Sequence, residues 1–274
     1  MRAERLGQRD GVAGLHRLVG IAGDQQAALF GQAAFDSGDS KATYGTGAFI
    51  LTNTGSEIVE SAHKLLATVA WQAPDGKITY ASEGSVFVAG AAVQWLRDGL
   101  GIIERSSDVE ALALKASESG GVVFVPSLTG LGAPFWNSSI RGSMLGLTRG
   151  ISSAHIAFAT LEAIAFQVKA VLDAMAKDFG HPIDSLRVDG GAAANNLLLQ
   201  IQADVTGHDV VRAKVLESTG FGAALLAGLG SGIFSSLEEL KDLNPAERTF
   251  TPAQSREQEY GRFIQAVELT ANWS

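Results

Sequence analysis

Ile21-Ala22-Gly23-Asp24-Gln25-Gln26-Ala27-Ala28-Leu29-Phe30-Gly31-Gln32 runs from a short apolar stretch through Gly-Asp into apolar residues at helical spacing, and Thr43-Tyr44-Gly45-Thr46-Gly47 follows soon after. The pattern predicts a strand over residues 18–23 giving way to a helix headed by Asp24. A carboxylate in that position can simply cap free backbone N–H groups. The Gly-Thr-Gly turn, set between two β-branched segments, gives it a second meaning. Glycines there let the backbone approach a ligand closely and offer N–H groups and one hydroxyl to phosphate oxygens. A poised carboxylate beside such a loop points to phosphoryl transfer.

Working outward, residues 1–17 are rich in Arg, Gly and Glu without clear period, and read as a poorly structured lead-in. Downstream, strands are expected over 40–44 and 48–52, and a hairpin joins 65–72 to 77–81 through Pro74-Asp75-Gly76. An amphipathic run over 86–100 places Gly90 and Gln94 on one helical face. A helix over 109–118 and a strand over 122–125 lead into a Gly- and Pro-rich loop, 126–142, whose Phe135 and Trp136 serve either packing or function. A long helix from Ser152 or Ser153 to about 177 follows. Then a strand at 186–188 enters Asp189-Gly190-Gly191-Ala192, and Asn195-Asn196 opens another helix. Strand, paired glycines and helix start together form a turn that a nucleotide can approach. A strand near 210–211, a small-residue helix over 220–230 and helices over 237–243 and 254–271 complete the chain. Residues 18–274 therefore read as one α/β domain.

Composition narrows the function. With 274 residues and 46% apolar content, the chain can bury a sizeable core. A net charge of −8 provides no basic field for nucleic acid or an anionic membrane. The absence of cysteine removes disulfides, thiolate metal sites and a Cys nucleophile, and fits a reducing compartment such as the cytoplasm. No uninterrupted apolar run reaches the roughly 20 residues of a membrane span. The five histidines, His16, His63, His155, His181 and His208, are scattered and suggest no metal site. No Walker-type Gly-Lys-Ser/Thr and no Gly-x-Ser-x-Gly elbow appears.

Six stretches in order, 23–32, 43–47, 90–97 (Gly-Ala-Ala-Val-Gln-Trp-Leu-Arg), 129–134 (Thr-Gly-Leu-Gly-Ala-Pro), 146–150 (Gly-Leu-Thr-Arg-Gly) and 187–192 with Asn195-Asn196, resemble glycerol kinase, a sugar kinase of the actin and hexokinase-like ribonuclease H fold. The resemblance implies a carboxy-terminal ribonuclease H-like domain, a mixed sheet flanked by helices, with an amino-terminal domain absent from this chain. It implies ATP-dependent phosphorylation of glycerol to glycerol 3-phosphate, with Mg²⁺ arriving on the nucleotide. By the same resemblance Asp24 is the general base and touches substrate with Gln25 and Phe49, while Thr46, Gly90, Gln94, Gly191 and Asn195 face the nucleotide. An oligomer is in keeping with the family. The chain departs from the family pattern at Ala42, where Asn is usual, at Asn137, where Asp is usual, and at Gly220-Phe221. A kinase for another polyol or sugar such as xylulose, and a catalytically silent nucleotide-binding or interaction fragment, are the alternatives.

Overall fold

The computed structural model describes residues 19–273 apart from 74, 182 and 184. The lead-in, Leu18 and the Pro74 position of the hairpin turn lie outside the described residues. The first helix, α1 (Asp24–Gly31), is followed by β1 (Ser40–Tyr44), β2 (Ala48–Gly55), β3 (Leu66–Gln72) and β4 (Ile78–Val86). Next come α2 (Gly90–Asp98), α3 (Asp108–Ala113), β5 (Val123–Val125), β6 (Ser143–Leu145) and the 27-residue α4 (Ser153–Phe179). The last third contains β7 (Ser185–Asp189), α5 (Asn196–Thr206), β8 (Asp209–Ala213), α6 (Ser218–Ser231), β9 (Ala246–Phe250) and α7 (Glu257–Trp273).

Seven strands form one sheet in the order β3-β4-β2-β1-β7-β8-β9, and β5 pairs with β6 apart from it. β1, β7 and β8 run parallel, while β2, β3, β4 and β9 join antiparallel. This is the mixed sheet expected. Alternation along β1 and β2 divides its two faces. Ala42, Tyr44, Ala48 and Ile50 join the main core, into which α4 sends Phe158, Leu161, Ile164 and Val168. Leu51 instead packs with Leu29 and Phe30 of α1, Trp71 of β3 and Leu225 of α6. Helix α4 is long and apolar enough to cross a membrane by length and composition, yet 83% of its most apolar window is buried, which makes it the domain's core helix.

The expectations fail in identifiable places. Residues 19–23 form no strand. They cross α6 instead, where a methyl group on Gly230 would fall 1.7 Å from the Val19 carbonyl oxygen, so their apolar character serves contact with a helix. Strand β4 continues to Val86, because Ser85 and Val86 pair with Phe49 and Ala48, and this delays the start of α2 to Gly90. α3 stops at Ala113, short of 118. Residues 238–240 form a single 3-10 turn where a helix over 237–243 is expected. Strands β6 and β9 were not anticipated. β9 is an edge strand whose polar residues are exposed and only Phe250 is buried, so its composition resembles a loop.

Candidate active site

The α1-facing side of the sheet holds an unusual polar cluster. Cross-strand pairing puts Lys41 beside Leu51, Thr43 beside Phe49 and Asp189, and Glu83 beside Leu51, so all of these share one face. α1 covers that face. Gly23 is its N-cap, and the exposed Asp24 is its first residue, where the helix dipole favours a negative charge. Asp24 does not cap α1 by a side-chain bond from the N-cap position. Its Oδ1 instead accepts from the Gln25 backbone N–H at 2.9 Å, and its Oδ2 from Gln25 Nε2 at 3.3 Å.

Lys41 occupies the centre of the cluster, fully buried. Its ammonium donates to Gln25 Oε1 at 2.5 Å, to Thr43 Oγ1 at 2.9 Å and to the Phe49 carbonyl at 3.4 Å. Burial lowers its pKa to about 8, against the opposing pull of Asp189, Glu83 and Asp24. Burial likewise raises Glu83, partly offset by Lys41. Glu83 accepts from Gln26 Nε2 at 3.4 Å, and Gln32 Nε2 donates to Asp189 Oδ2 at 2.9 Å. Gln32 Oε1 and Asp189 Oδ1 are buried without a hydrogen-bond partner among the described residues.

Two loops lie at the carboxyl ends of β1 and β7, adjacent parallel strands, which is where open α/β sheets receive ligands. The β1–β2 loop is held from behind by α2. Ala89 and Ala91 donate to the Thr46 carbonyl at 2.9 and 3.0 Å, and Gly90 donates to the Gly45 carbonyl at 3.0 Å. A methyl group on Gly90 would fall 2.5 Å from that carbonyl oxygen, so only glycine permits the contact. Thr46 is exposed, and its hydroxyl has no hydrogen-bond partner among the described residues. The second loop abuts the first: Gly190 lies at φ +86°, and a methyl group on it would reach 2.5 Å from the Tyr44 carbonyl oxygen. Gly191 faces open space. Asn195 caps α5, its Oδ1 accepting from Leu198 N at 2.8 Å. Gln94 is exposed one turn along α2 from Gly90.

The structure thus gathers the expected site residues into two groups. Asp24, Gln25 and Phe49 are joined through Lys41, and Thr46 touches the start of α2 at Gly90. Gly191 follows the glycine that touches Tyr44. Gln94 and Asn195 have no described contact with the other expected site residues. Sequence reading missed Lys41 and Glu83. The signal available was a lysine on a strand whose polar face an adjoining helix must cover. Phe135 is half-buried against the core, and Trp136 stacks edge-on against Phe87 and donates to the Lys64 carbonyl at 2.6 Å, so this loop is accounted for by packing. Asn137 accepts from Ser139 N, Ser139 Oγ and Ile140 N, acceptor work that an Asp would also do, and Ala42 is fully buried in the core. A cavity of about 940 Å³ lies beside α1, lined in part by Ile21, Gln26, Trp71 and Leu229. None of the residues expected to meet the nucleotide lines it.

Comparison with known proteins bears on the family and the fold. Residues 40–231 match the C-terminal domain of the FGGY family of carbohydrate kinases. The chain is 54% identical over 255 residues to a glycerol kinase of Bdellovibrio bacteriovorus, covering 92% of this chain and 51% of that protein. It superposes with a TM-score of 0.87 and 37% identity on the crystal structure of Plasmodium falciparum glycerol kinase with ADP, covering 93% of this chain and 52% of that one. A xylulose kinase of Rhodospirillum rubrum shares the fold at 22% identity, with a TM-score of 0.80, over 96% of this chain and 53% of its own. The chain spans about half the length of these relatives. With its mixed sheet of the actin-like ATPase fold and two glycine-bearing loops at the ends of parallel strands, the chain belongs to the FGGY family of carbohydrate kinases and carries that family's C-terminal domain.

Proposed function

We propose that this chain supplies the base and the nucleotide side of an ATP-dependent glycerol kinase, the remainder of the cleft coming from the half of the relatives' length that this chain does not span. One observation carries the reading. An exposed carboxylate, Asp24, heads a helix whose Gln25 is tied through Lys41 to Phe49, on the same sheet whose parallel strands end in the Gly45 and Gly190 loops. Asp24 accepts the proton of a glycerol hydroxyl as that oxygen attacks the terminal phosphorus of ATP. The new O–P bond forms as the bond to the bridging oxygen breaks, and ADP leaves with that electron pair. Gln25 and Phe49 meet the polyol. Thr46 offers its hydroxyl to phosphate, and Gly191 leaves room for the nucleotide. Gly90 lets α2 brace the phosphate loop, Asn195 retains its Nδ2 as a donor, and Gln94 adds an exposed amide.

Among the described residues no cluster of three or more His, Cys, Asp or Glu side chains converges on a point that could hold a metal. Mg²⁺ would arrive on the phosphates of ATP, in keeping with its preference for phosphate and water ligands, and would neutralise their charge. A cytoplasmic location and a homo-oligomer belong to the same reading, as they do for the family it resembles.

The test is ADP formation from ATP and Mg²⁺, with and without glycerol, by the chain and by Asp24→Asn. Glycerol-dependent turnover that is lost in the variant supports the reading; turnover undiminished in Asp24→Asn removes Asp24 from the base role. Xylulose outperforming glycerol would move the substrate to a sugar. The chain's half length favours a second reading, a nucleotide-binding fragment that is silent by itself. It predicts ADP binding without turnover.

A further inference from the structure

We propose that Lys41 is the positioning residue of this site: from between the sheet and α1 its ammonium fixes the side-chain amide of Gln25, and the amide in turn fixes the carboxylate of Asp24. The inference deepens the functional reading above and rests on it for the role of Asp24, but the linkage itself is a property of the folded chain.

The hydrogen bonds have a direction. An ammonium donates only, so the Gln25 atom 2.5 Å from Lys41 Nζ must be the oxygen. That choice turns Nε2 towards Asp24, where it donates to Oδ2 at 3.3 Å, while the Gln25 backbone N–H holds Oδ1 at 2.9 Å. Both carboxylate oxygens are thus approached by donors of a single residue, and the rotamer of that residue is set by Lys41. The other two bonds of the ammonium reach Thr43, which leads into the Gly-Thr-Gly loop, and the backbone of Phe49. One cation therefore connects the helix start, the loop and the strand that together form the proposed polyol side.

Lys41 is unusual for a structural lysine. It is fully buried, with an ordinary side chain's charge, and it makes no ion pair among the described residues. The carboxylates of Asp24 on α1, Glu83 on β4 and Asp189 on β7 act on it from farther away. Arg187, its register neighbour on β7, reaches away to the Asn244 carbonyl at 3.1 Å. Burying a cation for packing alone is costly, and an apolar side chain of similar length would fill the space. Burial brings the Lys41 pKa down to about 8, so its charge can be changed without leaving the range in which such a domain is studied.

The experiment uses the 274-residue chain labelled with ¹³C and ¹⁵N and needs no turnover. The Lys41 Cε, Gln25 Nε2 and Asp24 Cγ resonances are followed from pH 3 to pH 10 in the native chain and in Lys41→Met. In the native chain the Gln25 amide should shift with the Lys41 midpoint, and Asp24 Cγ should show a second, smaller step at the same pH. In Lys41→Met those steps vanish. Gln25 and Asp24 resonances that ignore the titration of Lys41 would overturn the proposal from the native chain alone, even if Lys41→Met does not fold. Separately, coupled titrations alongside full turnover by Asp24→Asn would leave the linkage standing and remove the catalytic reading.

Discussion

At the scale of single residues, Asn195 holds two roles that substitution can separate. Its side chain caps α5, a contact whose loss costs about 1 kcal/mol in typical helices. Asn195→Ala should therefore lower the urea midpoint and weaken ADP binding together. Asn195→Asp should restore the midpoint, because a carboxylate also caps, while still weakening ADP binding by adding negative charge beside phosphate. Parallel urea melts and ADP titrations of both variants check this, and full ADP affinity in Asn195→Asp would remove the residue from the nucleotide site. The helix start at Asp24 was legible because apolar residues recur at helical spacing directly after Gly-Asp. Lys41 was not. In Lys41-Ala42-Thr43-Tyr44 the polar residues alternate with apolar ones, the usual pattern of a strand with one face in water, and only the placement of α1 over that face makes it an interior lysine.

At the scale of elements, the seam between α1 and α6 depends on a missing side chain. A methyl group on Gly222 would stand 1.8 Å from the Ala27 carbonyl oxygen, so Gly222→Val must separate the helices, at an expected cost of about 1–3 kcal/mol or more. Gly220, two residues earlier on α6, has nothing within 4 Å of the same position. Gly220→Ala should be neutral or stabilise by up to about 1 kcal/mol. Opposite displacements of the two urea midpoints would bear this out; equal losses would mean that α6 tolerates no side chain anywhere along it. Elements with strong periodicity, such as β1, α4 and α5, could be read from sequence because their local pattern and their tertiary surroundings agree. β6 and β9 could not, since three-residue and polar edge strands are specified by their partners. The apolar run at 19–23 has the composition of a strand, but its contacts are to a helix.

For the whole molecule, the C-terminal helix is fastened by a buried ionic junction. Arg256 donates to Glu162 of α4 at 2.6 Å and lies 3.7 Å from Asp204 of α5. Even so, burial outweighs the hydrogen bond from Ser119 and the attraction of Arg256, and the Glu162 carboxyl rises to about 7. Its folded pKa exceeds the ordinary value of 4.5, so the folded state binds the proton more tightly, and the stability this gives is present at low pH and lost as pH rises through about 7. The thermal midpoint should therefore fall between pH 5 and pH 8 by more in the native chain than in Glu162→Gln, and identical slopes would exclude Glu162 as the source. The α/β class was legible because helical and extended patterns alternate along the chain, whereas this junction joins residues nearly a hundred positions apart and leaves no local trace. The pairing of β1 with β7 has a temporal consequence. Ala42 meets Val188 about 145 residues later. At the usual pace of a ribosome, roughly 5–20 residues per second, the first strand waits several seconds or more for the second. Throughout that interval β1 is the open margin of a nascent four-stranded sheet, and the charge that later anchors Gln25 first discourages a neighbouring chain from adding itself there.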